Sequence, residues 1–276
     1  MILHRIVDWE DAYTNGANIA RGELWPAAWV EPAQAYRDKL SAAGRANLDV
    51  AYGPKPRNRL DLFLPEGEPR GLVVYVHGGY WVRFDKSFWS HCAAGPNAAG
   101  YAVAMPSYTL CPEVGIADIV AEIGAAVTHA AGLVDGPLHL TGHSAGGHLA
   151  ARMVCTDTPL PASVRERIGN VVSISGVHDL RTMLRIAINA DLRLDEETAR
   201  AESPALLSPL PDTKIVCWVG ATERSEFIRQ SALLANAWVG FGAATAFVEE
   251  PDRHHFNVID GLTDPNHALT RTLLTG

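Results

Sequence analysis

The stretch Leu138–Ala150 constrains this chain more than any other. It runs from apolar, strand-like residues through Gly142-His143-Ser144-Ala145-Gly146 into good helix formers, so a strand must turn sharply into a helix at Ser144. Such a corner holds its serine in a strained conformation. The residues two before and two after it pass too close to neighbouring backbone to carry a β-carbon, and Gly142 and Gly146 meet that demand. The turn lifts the Ser144 hydroxyl clear of the sheet, and the first amides of the helix, beginning with Ala145, face any anion forming beside it. Ser144 is the candidate nucleophile. A glycine-rich strand-to-helix turn that carries a serine by chance is the alternative, and the strand and helix on either side weigh against it.

The remaining apolar patterns supply the frame. Residues 47–52 and 59–64 alternate apolar and polar positions around Gly53-Pro54-Lys55-Pro56, which predicts an antiparallel hairpin. Continuous apolar runs at 72–76 and 101–105, the strand entering at Leu138, and runs at 171–174, 215–219 and 245–248 suit strands covered on both faces. Helical segments are expected at 86–99, 178–190, 225–239 and 265–274, and Ile116, Ile119, Val120, Ile123 and Val127 recur at helical spacing. Strands alternating with helices predict an α/β fold: one mostly parallel sheet of about eight strands with helices on both faces. The 276 residues, 47% of them hydrophobic, can bury one sizeable core, so a single domain spanning 1–276 is expected. Residues 1–45 read as a helical N-terminal segment rich in Trp and Tyr, either packed on the body or closing over the site as a lid. Its aromatics suit a homodimer contact equally well. Residues 191–212, with three prolines and many charges, read as an irregular excursion, a second piece of cap.

Charge and cysteines exclude whole classes. A net charge of -8 with no basic run speaks against nucleic acid as a partner. The first residues lack an apolar signal core and no window is long enough for a membrane span, so no membrane association is expected and the cytoplasm is the default compartment. Cys92, Cys111, Cys155 and Cys217 are scattered, which gives no disulfide framework and no structural zinc pattern.

A serine hydroxyl at neutral pH needs a base in reach and a third group to orient that base. In an open α/β sheet these gather at the carboxyl ends of strands. Of eleven histidines, only His254 and His255 lie in the loop directly after the last predicted strand; His255, next to the apolar descent that starts at Phe256, is favoured. For the acid, Glu223 beyond the 215–219 strand is favoured over Asp179, with Glu226 expected to face solvent on the following helix. The loop His77-Gly78-Gly79-Tyr80-Trp81 follows the third strand and can turn the amides of Gly78, Gly79 and Tyr80 inward beside that of Ala145, as an oxyanion site. Tyr80, Trp81 and Tyr108 are candidate substrate-binding walls, with Phe88 and Trp89 as further aromatics.

Taken together, His77-Gly78-Gly79-Tyr80-Trp81, Ser107–Glu113, Gly142–Leu149, Ser175–Leu180, Ser225-Glu226-Phe227 with Arg229-Gln230-Ser231, and His255-Phe256 resemble arylformamidases (kynurenine formamidases), in the hormone-sensitive-lipase-like branch of the α/β-hydrolases. The likeness runs from about residue 48 to about residue 260. It implies an α/β-hydrolase fold, a triad of Ser144, Glu223 and His255, and no cofactor or metal. The implied activity is hydrolysis of a small aryl formamide or short-chain carboxyl ester through an acyl-enzyme. A general carboxylesterase or thioesterase is the rival within hydrolases. A non-catalytic small-molecule binding module and a metal hydrolase are the readings from other classes.

Overall fold

The computed structural model describes residues 5–275, so the first four residues of the N-terminal segment lie outside the described part. Eight strands form one sheet: β1 (Ala46–Ala51), β2 (Arg59–Phe63), β3 (Leu72–Val76), β4 (Ala102–Pro106), β5 (Leu138–His143), β6 (Ile168–Ile174), β7 (Lys214–Gly220) and β8 (Ala244–Glu250). Their order across the sheet is β1-β2-β4-β3-β5-β6-β7-β8. The β1–β2 hairpin is antiparallel and joins β4 antiparallel, while every pairing from β4 to β8 is parallel. Parallel strands need crossovers that put helices on the faces. That is why β3, β4 and β5 are buried along both sides and read as unbroken apolar runs.

Two apolar layers result. On one face Val74, Val76 and Leu140 pack with Ile119, Ile123, Leu149 and Leu234, from the helices Ile116–Ala131, Ala145–Arg152 and Ser225–Val239. On the other, Val73, Tyr75, Val103 and Ile174 pack with Leu40, Trp89, Leu269 and Leu273, from the helices Trp25–Ala42 and Ala268–Leu274 and the 3-10 turns Lys86–Ala93. Each fully buried Val or Leu contributes about 2 kcal/mol, so the central strands hold the sheet rigid where the site is built. Among the described residues, no helix is long and apolar enough to cross a membrane.

The register fixes what lies beside Ser144. Val76 of β3 faces Gly142, and His143 faces Ile174 of β6, so the carboxyl ends of three neighbouring parallel strands finish together. At the corner, a β-carbon on Gly142 would lie 2.3 Å from the Gly146 carbonyl oxygen, and one on Gly146 would lie 1.9 Å from that of Val76. Both contacts are with backbone, which cannot rotate away. Gly146→Ala should therefore cost about 3 kcal/mol or more through overpacking, seen as a fall of at least about 6 °C in melting temperature. A melting curve matching the wild type would show that the strand and helix are not held this close.

Candidate active site

Ser144 has φ 57° and ψ -117°, the strained corner expected from the sequence. Its amide donates to the Ile174 carbonyl at 2.8 Å, and its carbonyl accepts from the His148 amide at 3.1 Å, which pins the turn from both sides. The His77–Trp81 loop packs directly against it: a β-carbon on Gly78 would sit 3.1 Å from that of Ser144. Among the described residues, the amides of Gly79, Tyr80 and Ala145 have no acceptor within the protein, so all three are free to donate. Gly79 has φ 113°, and Tyr80 and Trp81 have φ 52° and 59°, left-handed conformations that cost the two non-glycine residues roughly 1 kcal/mol or more each.

Behind that loop lies its support. The His77 ring stacks on Tyr108 at 4.4 Å and 7°, and the Tyr108 hydroxyl donates to the His77 carbonyl at 3.1 Å. Burial pulls His77 down to about 4, so it is neutral and acts as a prop for the loop. Trp81 is fully buried, edge-on to His148 at 5.2 Å, with its carbonyl accepting from the Cys111 amide at 2.8 Å. The sequence reading of Trp81 and Tyr108 as substrate walls is thus corrected. Their rings fill the core beneath the loop, where the positive-φ turn over Gly79–Trp81 sends the Trp81 side chain inward.

The carboxylate and the imidazole meet. Glu223 Oε2 lies 2.6 Å from His255 Nδ1, while Oε1 accepts from the Ser175 hydroxyl at 2.5 Å and the Gly220 amide at 2.9 Å. Both oxygens are committed, so the carboxylate is fixed and with it the ring. The His255 ring is also clamped from two sides, its centroid 4.5 Å from those of His143 and Phe227. His143 itself is held well below its ordinary pKa by burial and by His255 beside it. The other acids go elsewhere: Asp179 is tied bidentately to Arg181. Glu226 is fully buried on Arg229 and Tyr13, which corrects the expectation that it faces solvent. His254 packs against Trp25.

Ser144 and His255 line one cavity of about 520 Å³, together with His143, Gly79 and Tyr80. The Ser144 hydroxyl and the His255 ring are not hydrogen-bonded to each other in this structure, a loose arrangement usual before substrate tightens a site. The aromatic wall comes from Trp29, Phe84, Trp89 and Phe256, and the N-terminal segment contributes residues from Glu10 to Trp29. Ile186 and Ile188 close one side; residues 191–212, read from sequence as a second cap, do not reach the cavity. Trp29 and Phe84 could be placed in the cavity only by tertiary contact, since nothing in their local pattern separates a wall from a core residue. Among the described residues, no cluster of three or more His, Cys, Asp or Glu side chains has the arrangement of a metal site.

Comparison with known proteins bears on this geometry. Kynurenine formamidase from Danio rerio is 31% identical over 241 residues, covering 82% of this chain and 80% of the relative. The chain belongs to the kynurenine formamidase family. Residues 60–211 also match the BD-FAE family. A crystal structure from Silicibacter sp., described as a candidate thioesterase, is 47% identical and superposes with a TM-score of 0.93, covering 97% of this chain and 99% of the other. Esterase B from Lactobacillus rhamnosis, 19% identical over 91% of each chain with a TM-score of 0.66, shares the fold. This member of the family is an α/β-hydrolase in fold and a hydrolase in function.

Two predictions arise here. Trp81→Ala should lose about 3–5 kcal/mol of stability in denaturant titration, whereas Phe84→Ala, half-buried at the cavity, should chiefly change substrate affinity; the reverse pattern would restore Trp81 as a wall. Burial holds His148 and His178 down to about 3, and His77 and His139 to about 4, from an ordinary value of 6.5. The unfolded chain therefore takes up protons that the folded one refuses as pH falls below about 6.5, and stability should drop progressively from there toward pH 4. Melting temperatures that stay flat across that window would contradict it.

Proposed function

We propose that this chain is a serine hydrolase that cleaves a small aryl formamide or short-chain carboxyl ester through an acyl-enzyme. The observation that carries the reading is the Glu223–His255 pair at 2.6 Å, opening with the strained Ser144 onto one aromatic-walled cavity. His255 takes the Ser144 proton as the serine oxygen attacks the carbonyl carbon. The resulting oxyanion accepts from the amides of Gly79, Tyr80 and Ala145, each worth roughly 3 kcal/mol in the transition state. Collapse breaks the bond to the leaving amine or alcohol, which departs with the proton from His255. Water, deprotonated by the same ring, then releases the acid and restores the serine. Glu223 keeps the ring in the tautomer that presents Nε2 and stabilises its charged form.

The family relatives named kynurenine formamidase support the formamide, and the aromatic wall of Trp29, Phe84, Trp89 and Phe256 supports an aryl leaving group. A formyl carbon is small and electrophilic, so an amine of poor leaving ability is still expelled. A second reading, a thioesterase or general carboxylesterase, is favoured by the Silicibacter structure at 47% identity. Both readings share Ser144, His255 and Glu223 and differ in the acyl and leaving groups.

Ser144→Ala should retain the fold and lose at least about a thousandfold in turnover, and a fluorophosphonate probe should label the wild type but not the variant. Near-normal hydrolysis by the variant would reject the serine mechanism. Parallel kcat/KM measurements on N-formylkynurenine, p-nitrophenyl acetate, p-nitrophenyl butyrate and an acetyl thioester separate the two readings. Negligible formamide cleavage alongside efficient butyrate or thioester hydrolysis would replace the formamidase with the esterase.

A further inference from the structure

Tyr13 lies at the end of the short helix Trp9–Tyr13 in the N-terminal segment, far in sequence from Ser144, Glu223 and His255. It is 3% exposed and contacts Tyr80 of the His77–Trp81 loop and Phe227, a neighbour of His255. Its backbone carbonyl accepts from the Tyr80 hydroxyl. Tyr80 lines the cavity with φ 52°, so its strained backbone is held at the far end of its own side chain. The Tyr13 ring, in turn, meets Phe227 edge-on at 5.8 Å and 75°, and Phe227 lies 4.5 Å from the His255 ring.

Tyr13 is itself firmly anchored. Its hydroxyl donates to Glu226 Oε1 at 2.9 Å, contacts the Thr182 hydroxyl and accepts from Gln230 Nε2 at 3.0 Å. Gln230 Oε1 accepts the amides of His178 and Asp179 at 2.9 and 2.8 Å, and Glu226 is gripped by Arg229 at 2.7 and 2.8 Å. Burial and the Glu226 charge push the Tyr13 phenol upward, so it stays a donor at any working pH. A fully satisfied buried network of this kind is rigid. It runs from the N-terminal segment to the helix Ser225–Val239, which begins two residues after Glu223.

We propose that Tyr13 is a positioning residue: through its carbonyl it fixes the oxyanion loop at Tyr80, and through its ring it fixes Phe227 against His255. The N-terminal segment is then a structural member of the active site and does not open as a lid during turnover. This rests on the serine-hydrolase reading, because it assigns Tyr13 to groups that act on the Ser144 intermediate. A segment that merely covered the cavity would affect substrate entry and affinity. A segment that positions the reacting groups affects the chemical step, where a displacement of about 1 Å costs on the order of a hundredfold.

The test is a double-mutant cycle read in kcat and KM. Tyr80→Phe removes one oxygen and should lower kcat about tenfold with KM within about threefold. Tyr13→Ala, which removes the ring and the hydroxyl that anchor this stretch and so frees its backbone carbonyl to move, should lower kcat about thirtyfold or more, again with little change in KM; Tyr13→Phe, which keeps the ring and loses the anchoring hydroxyl, should lower kcat by less than Tyr13→Ala. Adding Tyr80→Phe to Tyr13→Ala should cost less than about twofold more, because the Tyr80 hydroxyl then has no anchored carbonyl left to bind. Unchanged kcat in Tyr80→Phe, effects confined to KM, or strictly additive losses would each overturn the proposal, and if Tyr13→Ala fails to fold, Tyr80→Phe alone decides. Turnover surviving in Ser144→Ala would instead sink the serine reading, whatever the Tyr13 variants do.

Discussion

The rest of the structure depends on how closely two backbones approach at the end of β5. The helix starting at Ala145 passes so near the end of β3 that positions 142 and 146 have no room for a side chain, and the corner residue is forced to φ 57°. Neither condition is favourable alone. They persist because β5 is locked between β3 and β6 in a parallel register, with apolar layers on both faces that together outweigh a local strain of a few kcal/mol. The strained corner sets Ser144 on the cavity wall, packed against the loop that carries Gly78, Gly79 and Tyr80.

A second strained turn faces the first. Tyr80, Trp81 and Phe84 all have positive φ, and the side chain of each is held: Tyr80 by its bond to the Tyr13 carbonyl, Trp81 against His148, and Phe84 among Trp29, Phe88 and Trp89. Buried neutral histidines serve as flat, rigid packing units around this loop, His77 beneath it and His148 behind it. Of His77, His148 and His255, His255 is the one with a carboxylate on a ring nitrogen. One side-chain type thus fills two roles, separated by whether an acid lies within reach.

Much of this was legible in the sequence. Gly142, Gly146, the eight strand patterns and the order of Ser144, Glu223 and His255 are local or ordinal features, and the hairpin and the parallel sheet follow from periodicity and connection length. Trp81 and Tyr108 were misplaced because aromatic residues near a site look alike in sequence whether they line a cavity or support its wall. Glu226 was expected in solvent because the partners that make its burial tolerable, Tyr13 and Gln230 as well as Arg229, include one that comes from more than two hundred residues away.

By itself, then, the sequence determined the sheet, the sharp corner at Ser144 and the candidate trio, since short-range sterics and apolar spacing are written residue by residue. Tertiary structure alone decided that Glu223, and not Asp179, reaches His255, that Trp29 and Phe84 wall the cavity, and that the N-terminal segment closes one side of it. Those outcomes depend on which side chains lie within a few ångströms after folding, and burial, ion pairing and hydrogen bonding act over that distance regardless of separation along the chain.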